Sequence, residues 1–93
     1  MKRILTLLIL LLAAAFTSAA QKQPPTDDEI YDRVRLQLSG DAEVKGGAFE
    51  VIVKDGVVTI RGKVEKEKYK SKAERLAKKV KGVKQVVNEL RVG

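Results

Sequence analysis

Between residues 26 and 92 the apolar positions switch period in a fixed order. Ile30, Val34 and Leu38 recur at i, i+4 and i+8 with Tyr31 on a flank, the single apolar stripe of an amphipathic helix. Thr26-Asp27-Asp28-Glu29 precedes that stripe as a capping box: Thr26 can accept from the Glu29 amide, and Glu29 can reach back. Three acids in the first turn suit the positive end of the helix dipole. Gly40 follows as a C-terminal stop, so the pattern predicts a helix over about 26–38. Residues 41–48 read as a loop, with Gly46-Gly47 giving backbone freedom and Val44 tucking back as a small plug.

Alternation then replaces the helical period. Phe49-Glu50-Val51-Ile52-Val53 is β-branched-rich, Asp55-Gly56 is the preferred pair for a type I′ hairpin turn, and Val57 to Val64 continues as a second strand. A two-residue turn fixes the register: Lys54 opposite Val57, Val53 opposite Val58, Val51 opposite Ile60 and Phe49 opposite Gly62. The large apolar residues of the last three pairs land on one face. The other face receives Ile52 opposite Thr59 and Glu50 opposite Arg61. A one-residue slip would scramble this sorting. Gly62 opposite Phe49 leaves room for the ring or for a close helix.

The helical period returns over about Glu65 to Val80, where Tyr69, Ala73, Leu76, Ala77 and Val80 form a core stripe and Gly82 ends it. Val83 to Val92 alternates as a third strand, with Val86, Asn88, Leu90 and Val92 on one side and Val87, Glu89 and Arg91 on the other. Two helices with one apolar face each and a sheet with one strongly apolar face predict an α+β, two-layer sandwich with both helices on that face. Gly56 is expected to supply positive φ, Gly62 close packing and Gly82 the helix stop. Asn88 is expected to bond backbone near the sheet, since buried polar groups find internal partners.

The first twenty residues have a different pattern. Met1-Lys2-Arg3 is basic, Ile4 to Phe16 is apolar save Thr6, and Thr17-Ser18-Ala19-Ala20 ends in an A-x-A-like site, the three-part layout of a secretory signal peptide. The alternative, a membrane anchor, needs roughly 20 apolar residues, and this run has 13. No Cys lies near the cleavage point, which excludes a bacterial-type lipoprotein. The chain is therefore expected to divide into a signal peptide over 1–20, a disordered leader over 21–26 and one domain over 27–92, and to act in the periplasm or outside the cell after cleavage behind Ala20.

Composition narrows the function. The 93 residues include no Cys, no His and no Trp. Disulfides and thiolate nucleophiles are out, and most general-base designs and transition-metal sites go with the histidines. Neither a cofactor, a metal nor a small-molecule substrate is expected, and an enzyme is not. Loss of Lys2 and Arg3 leaves 17 of the 19 basic residues against 12 acidic ones, a net +5. Residues 21–60 carry 5 basic and 8 acidic, whereas 61–84 carry 11 basic and 3 acidic. Such segregation points one face at something anionic.

The run Asp55-Gly56-Val57-Val58-Thr59-Ile60-Arg61-Gly62-Lys63-Val64, a helix with Ala73 and Ala77, and Gly82-Val83-Lys84-Gln85-Val86-Val87-Asn88-Glu89-Leu90-Arg91-Val92 together resemble a BON domain, the module of bacterial osmotically inducible periplasmic and nodulation proteins. The resemblance covers roughly 27–92. It implies a helix-strand-strand-helix-strand chain with a three-stranded mixed sheet and two helices on one face. It also implies an envelope location, attachment to phospholipid membranes or other envelope components, and no catalytic residues. Many members carry two copies of the module; this chain carries one.

On a helical wheel Lys68, Lys72, Arg75 and Lys79 line one flank of the second helix, a stripe about 16 Å long at 1.5 Å per residue. Only Glu65 stands at its margin. The other flank mixes Lys70, Lys78 and Lys81 with Glu67 and Glu74, which can compensate through i,i+3 and i,i+4 pairs. Lys63, Lys66 and Lys84 near the helix ends can extend the positive field. The expected partner is an anionic membrane surface or envelope polymer, held through Lys68, Lys72, Arg75, Lys79, Lys63, Lys66 and Lys84. The alternative is a protein partner or a second copy on the open sheet face, at Ile52, Val57, Thr59 and Val87. Nucleic acid is not expected: aromatics are 4%, too few for a stacking platform, and no G-x-x-G loop joins helices.

Overall fold

The computed structural model describes residues 23–93; the leader expected over 1–20, its cleavage point and residues 21–22 lie outside them. Helix α1 is Asp27–Ser39, a 3-10 turn follows at Gly46–Ala48, strands β1 and β2 are Glu50–Lys54 and Val57–Val64, helix α2 is Glu67–Lys78 and strand β3 is Gln85–Val92. The sheet order is β1-β2-β3. β1 and β2 run antiparallel and β2 and β3 parallel, so the sheet is mixed, and both helices cover one face.

Thr26 caps α1 in an extended conformation, and its Oγ1 accepts from the Glu29 amide at 3.2 Å. Glu29 returns the contact by accepting from the Thr26 hydroxyl at 3.4 Å, not from a backbone amide. Gly40 ends α1 without turning left-handed; its φ is −79° and its amide donates to the Leu36 carbonyl. The chain reverses later, where Asp41 Oδ1 accepts from the amides of Glu43 and Val44, each at 3.0 Å. That turn carries Val44 into the core as the expected plug.

Asp55 and Gly56 have φ of 51° and 79°, the two positive values a type I′ turn requires. The register is the one the turn dictates, from Glu50↔Arg61 to Lys54↔Val57. A Cβ on Gly62 would stand 2.6 Å from Phe49 Cδ1, and the residue's φ is 152°, so the glycine serves both the ring and the backbone. α2 is shorter than its apolar stripe. Lys66 is still extended at its N-cap, and the far end tightens as the Val80 amide bonds the Ala77 carbonyl before Gly82 turns at φ 96°.

Ile30, Val34, Leu38, Val58, Ile60 and Leu90 are fully buried between the layers. Burial of each such side chain is worth about 1.5–3 kcal/mol. Polar ties then fix the edges. The Asp27 carboxylate accepts from the amides of Asp55 at 2.8 Å and Gly56 at 3.0 Å, and the Gly56 carbonyl accepts from the Lys84 amide at 2.8 Å. The start of α1, the hairpin turn and the α2–β3 loop are thereby one knot. Asn88 donates to the Lys70 carbonyl at 2.8 Å and accepts from the Leu90 amide at 3.2 Å, the backbone role expected of it. Pro25 lies half-buried beside Gly82, a contact not foreseen for a disordered leader. Among the described residues no helix is long and apolar enough to cross a membrane.

Candidate functional site

The two helices run antiparallel. Ile30 near the start of α1 lies by Gly82 beyond the end of α2, while Asp41 beyond the end of α1 reaches Lys72. Between them, Arg33 and Gln37 of α1 face Leu76, Lys79, Val80 and Lys81 across a groove of about 300 Å³. Because α2 buries Ala73 and Ala77, its charged flank beside Leu76 is turned outward along this seam.

The four stripe residues then differ. Arg75 and Lys79 are exposed, and among the described residues no carboxylate lies within 4.0 Å of either. Lys68 stands 5.4 Å from the centre of the Tyr69 ring, and Lys66 stands 5.8 Å from it. These are cation–π contacts that leave the ammoniums charged and outward. Lys72 is spoken for. Its Nζ lies 2.6 Å from Glu43 Oε1 and 3.0 Å from Asp41 Oδ2. The bond to Glu43, then that to Asp41, raises the Lys72 pKa. In return Lys72 lowers that of Glu43, and the Val44 amide together with Lys72 lowers that of Asp41. The expectation that only Glu65 borders this flank is therefore corrected: a loop 29 residues away in sequence supplies two carboxylates.

Three further placements differ from the sequence reading. Lys63 was expected to extend the helix field. It alternates with the core-facing Gly62 and Val64 and pairs across to Arg91, so it belongs to the open sheet face. Lys84 lines a cleft with Asp27, Asp55 and Gly56, beside acids and not within an unbroken positive field. Lys81 was assigned to the compensated flank, but it joins Lys79 and Arg33 at the seam. The compensation expected there is made by Glu74 and Lys78, at 3.0 Å.

The open sheet face is ordered in rows by register. Ile52, Thr59 and Val87 form one row across all three strands, and Glu50, Arg61 and Glu89 form the next. Arg61 Nε donates to Glu89 at 2.6 Å and its Nη1 to Glu50 at 3.0 Å, so one guanidinium joins three strands. These bonds, Glu89's first, raise its pKa. Ile52 is 44% exposed, and Val57, Thr59 and Val87 are half-buried.

Sequence reasoning also missed Arg35, which donates to the Phe49 carbonyl at 2.8 Å and the Gly47 carbonyl at 3.0 Å and so pins the 3-10 turn. Its one legible signal was a cation beside the α1 apolar stripe. No group of three or more metal-ligating side chains occurs among the described residues. Chemically, the arrangement offers a flank of exposed positive charge on α2 over a packed core. Comparison with curated proteins finds no match. The BON domain family model matches residues 26–93, and on that match the chain belongs to the BON domain family, whose modules are typically non-catalytic and associated with phospholipid or other envelope components.

Proposed function

We propose that this domain works outside the cytoplasm, in the periplasm or beyond, once its leader is cleaved after Ala20. There it attaches reversibly to an anionic envelope surface, phospholipid or acidic polymer, through the outer face of its helix layer. The observation that carries the reading is that Arg75 and Lys79, beside Arg33 and Lys81 at the helix seam, have no carboxylate partner among the described residues. Lys68 and Lys66 add charge at the other end of α2.

Each cation near an anionic leaflet is worth about 1 kcal/mol, and the attraction fades within a Debye length. A handful gives adhesion that salt reverses. Insertion has little support. The exposed large apolar side chains of the helix layer are Tyr31 and Leu36, both on α1. Even a full myristoyl chain anchors a protein only marginally. Co-sedimentation of residues 21–93 with phosphatidylglycerol-containing and pure phosphatidylcholine vesicles tests this. Binding to the first that falls as salt rises is expected. Equal binding to both refutes the electrostatic mechanism.

A second reading is a docking face for an envelope protein or a second copy on the open sheet. The continuous row Ile52–Thr59–Val87 favours it. The double change Ile52→Lys with Val87→Lys would then abolish capture of that partner without unfolding the domain, and unchanged capture rejects this face.

A further inference from the structure

The Lys72 contact rests on two carboxylates of unequal standing. Asp41 is fixed: its Oδ1 holds the Glu43 and Val44 amides while its Oδ2 meets Lys72. Glu43 is not; the only side-chain bond it makes among the described residues is the one to Lys72. Its side chain is 47% exposed. The turn that seats Val44 is already secured by Asp41, so the Glu43–Lys72 bond has no folding duty left to explain it. Exposed pairs of this kind contribute little to stability. Their effect on the field is larger. Two negative charges sit on the face that carries Lys68, Arg75 and Lys79, and they split its cations into a group around Tyr69 and a group at the seam.

Resting on the surface reading above, we infer that Asp41 and Glu43 are a built-in counter-anion that occupies Lys72 and holds down the affinity of the helix layer for anionic surfaces. Two carboxylate oxygens at 2.6 and 3.0 Å from one ammonium stand where the oxygens of a lipid phosphate would stand. On approach to a densely anionic surface Glu43 is the partner that leaves, because its carboxylate has one hydrogen bond, to Lys72, and beyond it only the attraction of Lys68. Asp41 keeps the turn. The surface thus has to carry a high density of net negative charge to displace an internal competitor, and sparsely charged or zwitterionic surfaces are rejected.

The test uses Glu43→Gln and the double variant Asp41→Asn with Glu43→Gln; Asn keeps the Oδ1 acceptor for the two amides. The control is Asp55→Asn, an equal charge change at the hairpin tip, which lies by the start of α1 and about 20 Å along that helix from Asp41. Partition onto phosphatidylglycerol-containing vesicles is expected to tighten about fivefold for Glu43→Gln and about 25-fold for the double variant. The control is expected to change less than twofold. Wild-type binding with Glu43→Gln no tighter than Asp55→Asn overturns the counter-anion and leaves the surface reading standing. No binding by wild type and double variant alike overturns both.

Discussion

The Arg61 row of the open sheet and the Arg75–Lys79 flank of α2 handle cations in opposite ways. On the open sheet, register brings Glu50 and Glu89 to either side of Arg61, and the guanidinium is neutralised within its own row. On the helix layer, Arg75 and Lys79 stand without a carboxylate among the described residues, while Lys72 is answered from a loop and Lys78 by Glu74 of its own helix. A strand places its partner charges at fixed neighbours, so the Arg61 row closes its own electrostatics, whereas in the next row Lys63 meets Arg91 with no carboxylate within 4.0 Å among the described residues. The flank of α2 that carries Arg75 and Lys79 has no such neighbour among the described residues, and its charge remains available. That contrast, more than the number of lysines, underlies the proposal of an anionic partner for the helix layer.

The most severe way to break the comparison is to remove the platform under both faces. Gly62→Val puts a branched side chain where even a Cβ lies 2.6 Å from the Phe49 ring. Overpacking of this kind costs about 1–3 kcal/mol or more. Urea unfolding is expected to show a loss at the upper end of that range, and a clearly smaller loss when the change is made in a Phe49→Ala background. A more selective break separates the faces. Arg75→Gln with Lys79→Gln is expected to weaken partition onto anionic vesicles about 25-fold, while Arg61→Gln alters it less than twofold and leaves the urea midpoint unmoved.

The smallest effect sharpens the loop's place between the faces. Glu43 and Asp41 have pKa values lowered from their ordinary 4.5 and 3.8. A lowered carboxyl contributes stability that is complete above its ordinary value and lost as pH falls through the folded one. The latch is therefore intact at neutral pH; on the acid side it opens below the usual carboxylate range, and on the alkaline side above the ordinary lysine range, because the Lys72 pKa is raised. A carbon-detected NMR titration is expected to place the Glu43 midpoint below 4.5, and Lys72→Gln to raise it.

What the sequence disclosed follows from how local each cause is. The Asp55-Gly56 turn sets the hairpin register without help, and the Phe49–Gly62 approach comes with it. Strand parity also placed Lys63 away from the helices, although nearness in sequence suggested otherwise. Lys81 went astray for a different reason. The helical wheel was carried past Lys78, where α2 stops, and the 100° step no longer applies. The second partner of Arg61 depends on the parallel β2–β3 register, which no turn dictates. The Asp41–Glu43 latch on Lys72 depends on how a loop folds back after α1, a tertiary event with no periodic signature.

The central claim is that anionic surfaces meet the helix layer. Its most direct test is an amide-shift titration of residues 21–93 with phosphatidylglycerol-doped and purely zwitterionic bicelles. The account predicts salt-sensitive shifts at Arg33, Arg75, Lys79 and Lys81 with the anionic bicelles alone. Shifts centred on Ile52, Thr59 and Val87, or the same shifts with both lipids, would contradict it.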